Sequence, residues 1–438
     1  MDERSRKLAS VGVIALLIAV MGLVLPASQL TTTLPADNVT IRDNGDYYFY
    51  DNVEGALQEI GSMKVGSETV SRDIYVDNIL GSDTNDGSSW GAAFKTIPAA
   101  MDSISYVIED GVTITVRCRG TFAGLATPDG EGPTVIISKI CFGSGMVEVL
   151  PEDYLHEGVP KPGGTDPAGW WIDFIATVGS NEHNTENGCW DNCTLFFVDP
   201  EGEAVGQVRT IVSSVKTGDT MRVTFDDNLD NVITGGNEWK NSFNIVGKAI
   251  LHPGGWIGFS VDGALTKARI DGWIIEDFDG EASAVNTING AYLRSQAMLV
   301  RDFIGGERAD FQADSNSNMW VTEILCTSHE VARSSVKLDR ASATIGNFVS
   351  LRDGGDVDSV HFFITNCATL NNWGGAYSAG GSANFWVNQN SVAFIGGPRG
   401  VDGADWGIYA ELGGMVQVTD SSLSTDADAA SFAYIDEV

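Results

Sequence analysis

The residue types that could do chemistry in this chain are aromatic rings, short-range oxygen donors and one close thiol pair. Four of the 11 tryptophans, Trp320, Trp373, Trp386 and Trp406, crowd into the C-terminal quarter or so of the sequence. An exposed indole stacks on the apolar face of a sugar, and a buried one fills a core, so these four are glycan-binding candidates or packing residues. Asp83, Asn85 and Asp86 in GSDTNDG set three hard oxygen donors close together, the type of ligand Ca2+ takes. The distal glutamate of a helix-loop-helix calcium loop is missing, and turn chemistry uses the same residues. Cys189 and Cys193, in CWDNC, are spaced for a loop disulfide if the chain is exported. They lack the second Cys/His pair that a structural zinc site requires. No HExxH, phosphate-binding loop or dinucleotide fingerprint occurs.

The remaining features concern what must hold such residues in place. A chain of 438 residues that is 43% hydrophobic can bury a core, which excludes wholesale disorder. Its formal charge of −33 repels phosphate backbones, so nucleic acid is a poor partner. Arg4, Arg6 and Lys7 precede an apolar run from Leu8 to Leu25. As a helix that run spans about 27 Å, close to a hydrocarbon core, with the basic flank inside. Residues 1–28 are therefore expected to be a signal peptide or membrane anchor, with membrane contact confined to residues 8–25. The rest is placed outside, as an extracellular, membrane-anchored or virion-surface protein.

Residues 29–72 read as a stem. Within it Val53, Ala56, Leu57 and Ile60 fall on one helical face of DNVEGALQEIGS. Asp51 and Glu54 have capping-box spacing, and Gly61 suits the C-cap. A helix of about nine residues does not survive alone in water. Its face needs the downstream domain or copies of itself, which makes Val53, Leu57 and Ile60 oligomerisation candidates.

Two segments carry a resemblance. IRDNGDYYFYDNVEGALQEIGS, residues 41–62, is similar to a stem segment of tail-fibre and tail-spike proteins of tailed viruses. IYVDNILGSDTNDGSSWGAAFKTIPAAMD, residues 74–102, resembles the opening segment of right-handed parallel β-helix proteins of the pectate-lyase-like superfamily. Its physics agrees: a short strand leads into a Gly/Asp/Asn turn, and Ile97, Ala100 and Met101 mark a helix suited to cover the open end of a coil stack. The resemblance implies an all-β fold for residues 73–438, a right-handed parallel β-helix.

The sequence also repeats at about 24 residues, too long for strands of an ordinary sandwich. An apolar residue followed two places later by an acid or Asn recurs at Asp277, Asp302, Glu323, Asn347, Asn366 and Asp420, and these six with Asn390, which fits the spacing after Asn388, are expected to form one ladder. Val112-to-Gly120 and Val135-to-Gly143 align likewise, which would stack Cys118 on Cys141 as inward thiols. Residues 144–260 fit the repeat less well and read as loops thrown out from coils or as an inserted lobe.

Lyases of the resembled superfamily use carboxylates holding calcium beside a basic residue that takes a proton. The local counterpart here is Lys337 and Asp339, followed by Asp353, or else an ordinary solvated face. The combined expectation is a trimeric spike or fibre, probing cell-surface glycans or polysaccharide. A secreted polysaccharide lyase and a cell-envelope adhesin are the rivals. No cofactor is required, and Ca2+ is the one ion the sequence nominates. If the stem helix makes the trimer, replacing Leu57 and Ile60 by Asp lowers the mass seen by light scattering. A wild-type ectodomain that is monomeric at micromolar concentration would end the trimer expectation.

Overall fold

The structure is a computed structural model that describes residues 66–436 apart from 124–132, 176–185, 235, 254–256, 280–282, 305–308, 328–333, 352–359, 379–382, 397, 401–405, 420–424 and 428–431. The leader and the stem helix with Val53, Leu57 and Ile60 lie outside the described residues. The chain divides into two compact units. Of the first, Met1–Ser67 with Ser105–Val107, only residues 66–67 and 105–107 are described. Everything below belongs to the second.

That unit is a parallel β-helix. Its first strand, Arg72–Asp77, turns Ile74 and Val76 inward by the period-2 alternation of its sequence. The helix Ile97–Ser103 then buries Ile97, Ala100 and Met101 against the start of the stack. Thr96 caps it by accepting from the Ala99 N–H at 3.3 Å, and Pro98 sits in the first turn where a missing N–H costs nothing.

Each coil then contributes a strand to each of three parallel sheets. On the first sheet one inward column runs Ile114, Val147, Ala268, Leu293, Met319, Ala343, Leu370, Ala393 and Val416. From Ala268 onward the steps are 25, 26, 24, 27, 23 and 23 residues, the repeat seen in the sequence. On the third sheet the matching column holds Phe259, Val285, Phe311, Val336, Phe362 and Phe385, with the Phe362 and Phe385 rings stacked at 4.7 Å.

Two kinds of corner close the coil. Between the first and second sheets the strands bend at Gly120, Gly272, Ala297, Glu323, Asn347 and Gly374, every one with positive φ. Between the third sheet and the next coil, paired left-handed residues such as Asn289–Gly290, Ser315–Asn316 and Gln389–Asn390 make the tight turn. The single polar ladder expected from the sequence is thereby corrected. Glu323 and Asn347 share one corner, Asn366 and Asn390 stand at the other, and Asp277 and Asp302 lie within second-sheet strands. Asp420 is outside the described residues. A common repeat length put all seven in phase although they occupy different parts of the coil. The Cys118–Cys141 stack is corrected too, because Cys118 pairs with Pro151 on the first sheet while Cys141 belongs to the short strand Ile140–Cys141.

At the second coil the chain leaves this corner and builds a seven-stranded antiparallel sheet, with strands in spatial order Leu155–Gly158, Phe243–Val246, Thr194–Phe197, Val208–Thr217, Thr220–Phe225, Trp171–Ile175 and Pro160–Thr165. One side of this lobe has its own core around Trp190, Phe197, Phe225 and Phe243. Its other side, through Phe196, Val198 and Val246, packs on Ile274, Leu299, Leu325 and Val349, the outward residues of the second sheet. Cys189 and Cys193 are buried in the lobe core as thiols with no bond between them, where a disulfide was expected. Burial pushes both up to about 11, so they stay protonated packing groups at neutral pH.

Phe362 sits fully buried between the rings of Phe348, at 5.5 Å, and Phe385. Truncation to Ala leaves a cavity that neighbouring coils cannot close, at a cost of about 3–5 kcal/mol. Urea unfolding of F362A against F362L reads this, with Leu recovering most of the loss.

Candidate functional site

With the second sheet's outer face under the lobe, the outer face of the first sheet is the long surface of the coil stack on which side chains line up rung by rung. Strands in a parallel sheet are about 4.8 Å apart, so outward residues in register form columns at that spacing. One column reads Asn318, Ser342, Thr369, Val392, Met415, and the next Trp320, Thr344, Asn371, Phe394, Gln417. None of these ten positions is charged, in a chain with 59 acidic residues. Beside them Trp373 follows the strand Thr369–Asn372 and stands 61% exposed, and Phe394 is 46% exposed. Gly346 beneath Trp373 has no side chain, and a Cβ there would lie 3.8 Å from the indole, so the ring rests on bare backbone. Trp320 is half-buried, one face covered by the Arg294 guanidinium 4.5 Å from its ring centre.

At the edge of this face lies a shallow cavity of about 350 Å3 lined by Asn316, Ser317, Arg340, Ser342, Asn366 and Thr369. Its walls come from the tight-turn corner, and Ser342 and Thr369 are shared with the uncharged columns. Rings to stack on, amide and hydroxyl groups to donate and accept, and one guanidinium at the margin together suit a polyhydroxylated ligand lying along the stack.

Toward the lobe the same face ends in a closed ionic network. Arg269 reaches Glu148 at 3.1 Å, the Tyr154 hydroxyl at 3.1 Å and the buried carboxylate of Asp271. The Gln296 N–H donates to Asp271 at 2.8 Å, and Thr115 donates to Glu148 at 2.9 Å. Burial pushes Asp271 up to about 6 against the opposing pull of Arg269. With every partner engaged, this network reads as positioning for the rungs above it.

The other sequence candidates are distributed elsewhere. Lys337 and Asp339 lie on the outer side of the third sheet, where Asp339 accepts from Asn366 at 3.0 Å and Arg340 at 3.2 Å. Asp353 lies outside the described residues. Trp386 is also on the third sheet, its indole donating to Glu411 at 3.0 Å between the rings of Phe363 and Tyr409. Trp406 begins the next strand of that sheet. Asp83 accepts from the N–H groups of Lys95 and Thr96, both at 2.9 Å, and Asp86 from that of Ser88 at 2.9 Å, while Asn85 donates to the Ala93 carbonyl at 2.9 Å. Asp83 thus ties the opening turn to the cap of the helix, while Asn85 and Asp86 hold the turn itself. Phe394, Asn371 and Thr344 were not singled out by sequence reasoning. The repeat itself held the signal, since they follow Trp320 at one-coil intervals.

No family model matches this sequence, and no curated protein matches it. Among solved structures, XylC with xylose aligns at 10% identity and a TM-score of 0.29, over 83% of this chain and 69% of that one. The tailspike of Pseudomonas phage phi297 aligns at 10% identity and 0.19, over 80% and 68%. The tailspike of Acinetobacter baumannii bacteriophage AP22, solved with A. baumannii capsular saccharide, aligns at 9% identity and 0.19, over 74% and 64%. At these TM-scores the likeness carries no assignment, and the fold stands on the strand registers.

Asp271 generates a prediction with a definite sign. Its folded value of about 6 exceeds the ordinary 3.8, so between those values the folded chain binds more protons than the unfolded one. Stability from this group therefore falls as pH rises from about 4 to 6 and levels above that. The melting temperature of wild type minus that of D271N should fall across that window. A difference that is constant, or grows with pH, contradicts it.

Proposed function

We propose that this chain is a surface-exposed spike or fibre protein that contacts glycans along the outer face of its first sheet. The observation that carries the reading is the uncharged strip from Asn318 to Gln417, flanked by the exposed ring of Trp373. Acidic residues dominate the chain, and their exclusion from these columns marks a face that sheds water against a neutral, ring-shaped partner. Indole and phenyl rings supply the apolar contact, and the Asn, Ser, Thr and Gln side chains supply both donors and acceptors for hydroxyl groups.

The display of this surface on a virion or cell envelope, as a trimer, rests on the leader at residues 8–25 and the stem motif at residues 41–62. The lyase alternative rests on Lys337 and Asp339, two residues apart on a different sheet.

A glycan array on the purified ectodomain, followed by titration of the best binder, tests the reading. W373A should weaken binding on the order of tenfold or more, as loss of a central aromatic anchor does. W386A, on the third sheet, should bind like wild type. Equal affinity for wild type and W373A would remove the first-sheet face from the proposal. Unsaturated-uronate absorbance in the same incubations would show lyase activity directly.

A further inference from the structure

The chain's route from coil to lobe creates a second site. After the first-sheet strand Met146–Pro151, residues 152–158 run across the corners of the later coils. At Gly272 a Cβ would lie 2.5 Å from the Tyr154 ring, so only Gly fits there, and Ala297 packs in one cluster with Tyr154 and Leu150. At the next corner stands Glu323, beside His156 and Glu157. The neighbouring corners carry Gly272, Ala297, Asn347 and Gly374 at the equivalent position, so Glu323 is the one acid at a corner residue itself among the described residues.

One ligand atom each from His156, Glu157 and Glu323 lies within 4.8 Å of the others. Glu323 is 2% exposed, and its buried Oε2 has no hydrogen-bond partner. Leaving such an oxygen unsatisfied beside a second carboxylate is costly, and a cation removes both the repulsion and the vacant acceptor. Ligands held at about 2.0–2.2 Å from one ion lie roughly 3–4 Å apart, so small side-chain rotations bring these donors to bonding distance. One imidazole with two carboxylates is a mixed nitrogen and oxygen set that favours first-row transition ions over Ca2+ or Mg2+.

We infer that His156, Glu157 and Glu323 form a divalent transition-metal site that staples the inserted lobe to the corner of the β-helix. Zn2+ is the representative ion. Glu323 is buried, His156 half-buried and Glu157 exposed, and the three join residues 167 positions apart in sequence.

The experiment uses the ectodomain stripped with chelator and dialysed. Calorimetric titration with Zn2+ should show one strong site per chain. Ca2+ and Mg2+ should give only weak binding to the acidic surface. E323Q and H156Q should each weaken the Zn2+ site at least tenfold, while D83N leaves it unchanged. Because a variant here can fail to fold, Co2+ added to the wild-type protein is a second readout. An intense visible band displaced by one equivalent of Zn2+ supports the site, and its absence overturns it. Failure of both variants to alter Zn2+ affinity also overturns it, as does a wild-type protein that binds no stoichiometric Zn2+.

Discussion

An inner strand face in this molecule is buried by the other sheets of its own coil and by the coils above and below. One rung cannot close that core alone, so the inward columns from Ile114 to Val416 and from Phe259 to Phe385 must stay in register for every coil at once. This constraint explains the corners. A strand that turns inside a fixed register has to make the bend at one residue, and the left-handed conformation supplies it. Gly is the unstrained choice, which stands at Gly120, Gly272 and Gly374, and Asn at 347 is the next best. It also explains why the ends need covers, and why the helix Ile97–Ser103 precedes the first complete coil.

The lobe follows from the same requirement. An insertion tolerated by a stacked coil must enter and leave at a corner, where no ladder hydrogen bond is broken, and residues 152–247 do so. Once there, the lobe buries apolar outward residues of the second sheet, Leu299, Leu325 and Val349, that would otherwise face water. Two of the three outer surfaces are thus committed. The second is covered by the lobe, and the third carries ionic ties such as Asp314 and Asp339 to Arg340. On the first sheet the rungs from Asn318 to Gln417 are left free of both duties, beyond the ionic network around Arg269.

Much of this was legible in the sequence because the repeat and the period-2 alternation are local. The spacing of Ile97, Ala100 and Met101 agreed with the resemblance in marking the capping helix, and the coil length emerged from recurring apolar–polar pairs. Phase within the coil was not legible. Corner residues, turn residues and mid-strand acids all recur at one-coil intervals, so Glu323 and Asn366 looked equivalent although they belong to different corners. The pairing of Cys118 failed for a related reason, since inward alternation is the same in every sheet. The tryptophans were recognisable as a group, but only the register separates Trp320 and Trp373 on the first sheet from Trp386 on the third. His156 and Glu323 meet through a crossing that no periodicity encodes.

The distribution of charge carries the functional argument one step further. Like charges one rung apart repel by roughly 1 kcal/mol in water, a cost that applies equally to every outer column. The third sheet accepts it at Asp314 and Asp339 by placing Arg340 3.5 Å from the first and 3.2 Å from the second. Repulsion alone therefore does not clear acids from the ten columnar positions between Asn318 and Gln417, because a neighbouring arginine would have served there as well. An ion pair in that strip would satisfy the free protein yet hold its hydration when a ligand arrives, and stripping that water opposes binding. Neutral amides and hydroxyls surrender water at far lower cost and return the hydrogen bonds to the ligand. A strip that is polar but uncharged is the arrangement expected where desolvation occurs repeatedly along a stack, one rung at a time.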